Sequence, residues 1–420
     1  MSPISAEIRA SMPYVSSGPA GNPPVLILNL FHSGLAIARD LAGRDVRVIG
    51  LSADRSIYGN FTRFCEVRFV PNSQEQPERL AEVLLGLTSE LSGSVIFPTR
   101  DADVLFLDRY REELSEHYRL AIPPHDCLLR VMDKHALASI AEKSGTPVPR
   151  TARVSCATEL RRVEMEVGFP CVLKPVYAVS WRSGEGWIKV GARKAILVDN
   201  QQQLEREYRV VSSVDPDVLI QRWIPGSAEQ IVVCGGYVSR GGEPLAYFTA
   251  RKLVQSPDDF GTGCLVESRE IPEIVQLTRH LWQSLRYEGM AEVEYKQDKD
   301  SGKYYLIEIN TRHWDWHGLG RASGINLTWT AYCDLTGRAQ GSTQQPIVRA
   351  KWMAEDALLI YLLKALYHRR IGLADVWRKL SGRRIYSVFA WNDPIPWLRY
   401  WFFVLLPDLA KSILKKIGGG

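Results

Sequence analysis

The sequence predicts an α/β unit followed by an α+β unit, with a basic, aromatic, helical extension at the C-terminal end. Three observations carry this reading. Residues 25–30 form an apolar run, then come the small turn His32-Ser33-Gly34, a helical stretch through Leu41 and a second apolar run at 46–51. This β-turn-α-β order is the start of an open parallel sheet. From residue 218 onward, short extended runs at 218–221, 231–233, 245–253, 290–296 and 304–310 surround a long helical pattern at 271–285, as in an antiparallel α+β unit. Residues 351–420 hold twelve Lys and Arg against five Asp and Glu, so this stretch carries +7 and the remainder −2.

The elements follow in chain order. Residues 1–24 are rich in Ser, Pro, Gly and Ala, without an apolar run; they read as a disordered tail and not as a secretory signal or an anchor. Further parallel strands are expected at 94–98, ending in Thr99, Arg100, Asp101 and Asp103, and at 120–123. Loops at the carboxyl ends of such strands form ligand crevices, which makes His32, Ser33 and Asp101 substrate-side candidates. Residues 128–143 read as one helix containing Met132-Asp133-Lys134, closed by the Gly145 to Pro149 segment because proline cannot continue a helix. A second helix at 159–167 precedes a short buried strand, FPCVLKP, that ends at Lys174 and Pro175. Arg182, Ser183, Gly184 and Gly186 give residues 180–186 the composition of a mobile loop able to close over phosphates. A strand at 194–198, a helix at 202–208 and the run from Gln221 through Arg222, Trp223, Ile224 and Gly226 to Glu229 complete this part.

The stretch YYLIEINTRHW, residues 304–314, places a carboxylate, an amide and a guanidinium within five residues. Side chains on a strand alternate faces, so Glu308 and Asn310 point the same way, as do Glu292 and Glu294 on the preceding strand. Asp298, Asp300, Ser301 and Gly302 mark the turn of a hairpin between them. If even-numbered residues pair with even-numbered ones, Glu294, Glu308 and Asn310 crowd one surface. Like charges gathered there repel unless a cation sits between them, and Mg2+, which takes hard oxygen ligands and shares phosphates, meets that need. Arg312 would reach the same phosphates from the loop beyond. Solvated carboxylates on an exposed sheet face are the structural alternative. His313, Asp315 and His317 would share a face if extended and could bind Zn2+ or Fe2+. The approach to Gly318 and Gly320 reads instead as a substrate-lining loop, where Trp314 and Trp316 are packing residues first and could also shape a pocket.

Composition narrows the class. With 420 residues and 45% hydrophobic content, the chain can bury two or three domains. Seven scattered cysteines without a CxxC pair argue for a reducing compartment and against disulfides or a zinc site. The basic residues lie among aliphatic side chains, which disfavours nucleic acid as a partner. Near the C-terminus, Trp397, Leu398 and residues 400–406 form an apolar run interrupted by Arg399, Pro407 and Asp408, with Lys411, Lys415 and Lys416 beyond. It falls short of the roughly 20 apolar residues needed to span a bilayer. Two readings stand: an interfacial segment on an anionic membrane surface, or a docking helix on the protein body.

Taken together, Lys134, the VLKP around Lys174, QRWIPG from Gln221 to Gly226, EVEYK around Glu294 and EINTR from Glu308 to Arg312 resemble the ATP-grasp superfamily. Within it the match is to carboxylate-amine ligases of the D-aspartate ligase-like branch. The resemblance spans about residues 25–337, and five motifs in order are more specific than any one of them. It implies a Rossmann-like pre-ATP-grasp domain at 25–125 and an ATP-grasp fold of two α+β subdomains. The lid-bearing subdomain would cover 126–220 and its partner 221–345, followed by the C-terminal extension at 346–420.

The cofactors implied are ATP and Mg2+. Lys134 and Lys174 would hold the phosphates as point charges. Backbone groups of Arg222, Trp223 and Ile224 would meet the adenine edge, with Gln221 standing where many relatives carry an acid, and Glu229 would meet the ribose. Lys252 would approach the γ-phosphate or acyl phosphate; Glu294, Glu308 and Asn310 would hold Mg2+; Arg312 would stabilise the transferred phosphoryl group. The implied reaction joins a small-molecule carboxylate to an amine through an acyl phosphate, in a cytoplasmic protein, peripheral on the inner membrane face if the tail binds lipid. Family analogy adds a homodimer through the N-terminal sheet. Two alternatives are a carboxylase-like enzyme activating bicarbonate, disfavoured by the lack of a biotin-carrier segment, and a non-catalytic nucleotide-binding, membrane-associated protein.

Overall fold

The computed structural model describes residues 21–182, 184–257, 260–338 and 347–407. It is a mixed α/β protein built on three sheets. The first contains β1 (Val25–Leu28), β2 (Val48–Ser52), β3 (Glu66–Phe69), β4 (Val95–Phe97) and β5 (Arg119–Leu120), all paired in parallel in the order β3-β2-β1-β4-β5. Alternation along β1 explains why it lies at the centre. Val25 and Ile27 join one core with Ile37 and Leu41 of helix His32–Asp40, while Leu26 and Leu28 join another with Leu80, Leu84 and Leu107. A strand apolar on both sides can lie only between two covered faces. Gly34 lets the helix start press against the strand end: a Cβ there would lie 2.0 Å from the carbonyl oxygen of Asn29. β3 escaped the sequence reading because EVRF alternates charge with apolar residues and forms an edge, where every residue is half-buried.

The second sheet is small and antiparallel. It comprises β6 (Thr151–Val154), β7 (Cys171–Pro175), β8 (Ile196–Val198) and β9 (Val218–Arg222), in the order β6-β9-β7-β8. Leu204, Tyr208 and Val211 of helix Gln201–Val211 cover one face, together with Trp181 and Val190. Those two buried residues bring a correction. The segment expected to be a loop at 180–186 is helical, as Ala178–Arg182 and Gly184–Lys189, because its apolar residues anchor it in this core; Ser183 lies outside the described residues. A second correction concerns 128–143. It forms two helices, His125–Met132 and Lys134–Lys143, parted at Asp133, whose carboxylate accepts from the backbone N–H groups of His135 and Ala136. An aspartate that caps a helix start competes with continuation of the helix before it.

The third sheet has seven strands: β10 (Ile231–Val238), β11 (Pro244–Ser256), β12 (Thr262–Ser268), β13 (Gly289–Gln297), β14 (Tyr304–Asn310), β15 (Lys351–Met353) and β16 (Arg384–Tyr386). Their order is β14-β13-β10-β11-β12-β15-β16, and only β15 and β16 pair in parallel. Ala291, Val293 and Tyr295 of β13 enter a core with Leu281 and Leu285 of helix Pro272–Leu285 and with Leu137 and Ala141. Alternation then sends Glu292 and Glu294 to the opposite face.

Residues 1–20 of the expected tail, and Lys411, Lys415 and Lys416, lie outside the described residues. Helix Ile395–Tyr400 runs into a π-helical turn, Trp401–Leu405; its Tyr400 is buried, with its ring 5.0 Å from that of Tyr58. No described helix is long and apolar enough to cross a membrane.

Candidate active site

The charged face of the third sheet, the end of the small sheet and the carboxyl end of β4 enclose a cavity of about 520 Å³. The hairpin register decides what lines its floor. Glu294 pairs with Glu308 and Glu292 with Asn310, so three carboxylates and an amide share one surface. Lys252, on β11, reaches across with its Nζ 2.5 Å from Glu294 Oε2, and Asn310 donates its Nδ2 hydrogen to Glu292 Oε2 at 2.7 Å. From the small sheet, Lys174 Nζ donates to Gln221 Oε1 at 2.8 Å, and Gln221 Nε2 donates to Thr151 Oγ1. Lys134 opens its helix at the cavity wall beside these groups.

The electrostatics follow from burial and neighbours. Lys174 is pushed down to about 7 by burial and by the charge of Lys134, against the pull of Glu308 and Glu294. Glu292 is pushed up to about 8 by burial and by Glu294, with Lys252 and Asn310 opposing. Burial also works against the Lys252 ammonium, but Glu294, Glu292 and Glu308 outweigh it and raise its pKa. Cations and carboxylates therefore stabilise each other only in part here, and ligands of either sign find partners.

At the far end Arg312 Nε lies 2.7 Å from Asp101 Oδ1. Burial opposes the charge on Arg312, and Asp101 restores it. Asp315 accepts from Ser33 Oγ at 3.2 Å, and Asp101, Asp315, Trp314 and Trp316 all line the cavity. The Trp314 ring lies against Gly235 of β10, where a Cβ would come within 2.4 Å of it.

The structure brings together Lys134, Lys174, Gln221, Arg222, Trp223, Ile224, Lys252, Glu294, Glu308, Asn310 and Arg312 as cavity wall. Glu229 is not among them. It sits in the short turn Ala228–Gln230, exposed and 3.5 Å from Lys379. His32 also stands apart, its Nδ1 hydrogen-bonded to the Tyr58 hydroxyl at 3.0 Å. Of the backbone groups expected at an adenine edge, the Arg222 and Trp223 N–H groups already donate, to Arg150 O and Pro170 O. The sequence reading left Glu292 out of the ligand set, although its two-residue spacing from Glu294 was the signal.

The histidines after Arg312 are structural. His313 Nε2 lies 3.0 Å from Thr328 Oγ1, and His317 Nδ1 lies 2.8 Å from Trp314 O. Both rings are buried beside Asp40, which also accepts from Arg321 and Thr328. Burial alone would raise the Asp40 pKa, yet His317 beside it, the Arg321 charge and the Thr328 hydrogen bond bring it to about 2.

Among the described residues no group of three or more His, Cys, Asp or Glu is arranged to hold a metal by itself. Paired carboxylates with an adjacent amide nevertheless suit Mg2+, which usually takes one or two carboxylates and completes its shell from phosphates and water.

The fold is that of the ATP-grasp enzymes. A biotin carboxylase from Campylobacter jejuni, solved as a βγ-ATP complex, superimposes with a TM-score of 0.62 at 18% identity over 80% of this chain and 75% of its own. In sequence the chain is similar to the D-aspartate ligase of Enterococcus faecium (strain Aus0004), 21% identical over 316 residues, or 68% of this chain and 74% of the relative. It is also similar to the D-alanine–D-alanine ligase of Pseudomonas putida (strain GB-1), 26% identical over 184 residues, or 43% of this chain. That match spans 54% of the ligase, about half its length. No family model matches the chain.

Proposed function

We propose that the protein is an ATP-dependent carboxylate-amine ligase that forms an amide and releases ADP and phosphate. The observation that carries this reading is the meeting, in one cavity, of the paired Glu294 and Glu308 with Lys134, Lys174, Lys252 and Arg312.

A carboxylate resists attack by an amine because oxide is a poor leaving group. Its oxygen first attacks the γ-phosphorus of ATP, the bond to the ADP oxygen breaks, and a mixed acyl phosphate results. The amine, deprotonated, then attacks the acyl carbon; the C–O electron pair leaves with phosphate and the nitrogen loses a proton. Positioning and charge neutralisation govern the first step more than covalent catalysis does. Lys174 and Lys134 hold the phosphates, Lys252 and Arg312 face the transferred group, and Ile224 offers the remaining N–H for the adenine edge. Glu294, Glu308 and Asn310 would hold Mg2+, which when bound neutralises phosphate oxygens. Glu292, sharing that face, keeps Asn310 oriented.

By this assignment residues 25–125 shape the acceptor end through Asp101, while 126–220 and 221–345 grip the nucleotide. A reducing, cytoplasmic setting fits seven free cysteines, five of them buried.

The test is ADP release screened over paired carboxylate and amine libraries with Mg2+. Turnover that needs both substrates and yields phosphate with the amide is expected. ADP release driven by bicarbonate without an amine would replace the ligase reading with a carboxylase one.

A further inference from the structure

The C-terminal part of the chain concentrates apolar surface that the body leaves uncovered. Of the nineteen large hydrophobic side chains exposed among the described residues, eleven fall between 359 and 406. They form stripes at helical spacing. In helix Glu355–Tyr367, Leu358, Leu362 and Ala365 enter the core while Leu359, Leu363 and Tyr367 face outward. Helix Leu373–Leu380 buries no residue and presents Leu373 and Trp377. In Ile395–Tyr400 and the turn after it, Pro396, Tyr400 and Leu405 dock while Ile395, Leu398, Phe402 and Phe403 face outward. Exposed apolar helix faces of this kind are uncommon on a soluble protein without a partner.

Charge identifies the partner's chemistry. Residues 351–407 contain nine Lys and Arg against four Asp and Glu. Three of those four acids are turned inward: Glu355 accepts from the backbone of Ser387 and Phe389, Asp356 from the Tyr400 hydroxyl, and Asp393 from Arg39 and Thr62. Lys364, Arg383, Arg384 and Arg399 are exposed. Arg399 lies over the rings of Phe61 and Phe403, 4.1 and 4.9 Å from their centroids, so its stem follows the apolar stripe. The surface is therefore apolar and positive, with its acids withdrawn. The sequence from 408 to 420 continues with Lys411, Lys415 and Lys416 among Leu409, Ile413, Leu414 and Ile417.

We propose that these outward helix faces seat the protein on an anionic lipid surface, the aromatic and aliphatic side chains entering the headgroup boundary and the basic ones meeting lipid phosphates. Apolar burial and electrostatic attraction then act together, as in interfacial helices. A face built to join a second copy would instead bring like positive charges together.

The experiment is co-sedimentation of the full chain with vesicles of phosphatidylcholine alone or mixed with phosphatidylglycerol. Binding to the mixed vesicles, weakened by salt and reduced about tenfold by F402S/F403S at an unchanged melting temperature, is expected. An R383E/R384E variant should lose the preference for phosphatidylglycerol. Failure to sediment with mixed vesicles overturns the proposal. So does a dimer that F402S/F403S converts to monomer with vesicle binding intact, which would assign the face to a second copy. Sedimentation involves no turnover, so the ligase reading and this one fail separately.

Discussion

Asp40 and Glu292 are buried to a similar degree, 3% and 4% exposed, and each sits among several polar neighbours. Asp40 accepts from Arg321 and Thr328, has His317 Nε2 3.5 Å away, and stays ionised with a pKa of about 2. Glu292 faces Glu294 and Glu308 and is pushed up to about 8. The difference lies in who supplies the compensating charge. Around Asp40 the protein does so, and the carboxylate ties helix His32–Asp40 to the segment that follows Arg312. On the cavity floor three carboxylates crowd one face, with Lys252 paired to Glu294 and Lys174 drawn by Glu308 and Glu294, and the like charges still act on one another. Burial of a carboxylate is thus no sign of function; what distinguishes the two regions is the sign of the neighbours.

The largest effect is expected at Glu308. E308Q removes a charge that Mg2+ and phosphates would use, so ADP release should fall about a thousandfold, a loss of about 4 kcal/mol in transition-state stabilisation. The melting temperature without ligand should stay unchanged. Retained turnover would place the metal elsewhere.

D40N tests the other region and should act on stability. The folded pKa of Asp40 lies below its ordinary value of 3.8, so its contribution, about 2 kcal/mol, is present above pH ~4 and is lost as pH falls through about 2. Denaturant melts should show D40N less stable at neutral pH, with the gap to the parent closing toward pH 2. An equal midpoint at neutral pH would show the network to be dispensable.

The third effect has the opposite sign. Glu292 has its folded pKa raised from 4.5 to about 8, so the folded state loses stability as pH climbs between these values. E292Q keeps an acceptor for Asn310 without the charge. It should stabilise the unliganded protein by roughly a few kcal/mol at pH 8 and by nothing near pH 4.5, because the pKa of about 8 already includes what Lys252 and Asn310 offset. A pH-independent difference between E292Q and the parent would remove the charge crowding from the account.

Much of this site was legible in the sequence because it rests on local rules. Alternation on β13 and β14 and the turn at 298–302 were enough to gather Glu294, Glu308 and Asn310, and strand ends located Lys174 and Asp101. What escaped depends on long-range packing. The three-residue strands β15 and β16 carry no period to detect, and β12 is recognisable only from its partners. The Asp133 break looked like helix interior because the apolar pattern continues through it. Glu229 was carried over from a motif, and only the fold shows that it lies beside Lys379. Trp181 changed a glycine-containing segment from expected loop to helix by entering a core that composition does not reveal.

Because β15 hydrogen-bonds along β12 and β16 adds to β15, the residues past 346 complete the largest sheet. Trimming the chain there to obtain a tidier specimen would strip β12 of its neighbour and present bare amide and carbonyl groups to any passing strand. Such a shortened product should clump in the tube, so the surface chemistry of the C-terminal helices is best altered one side chain at a time.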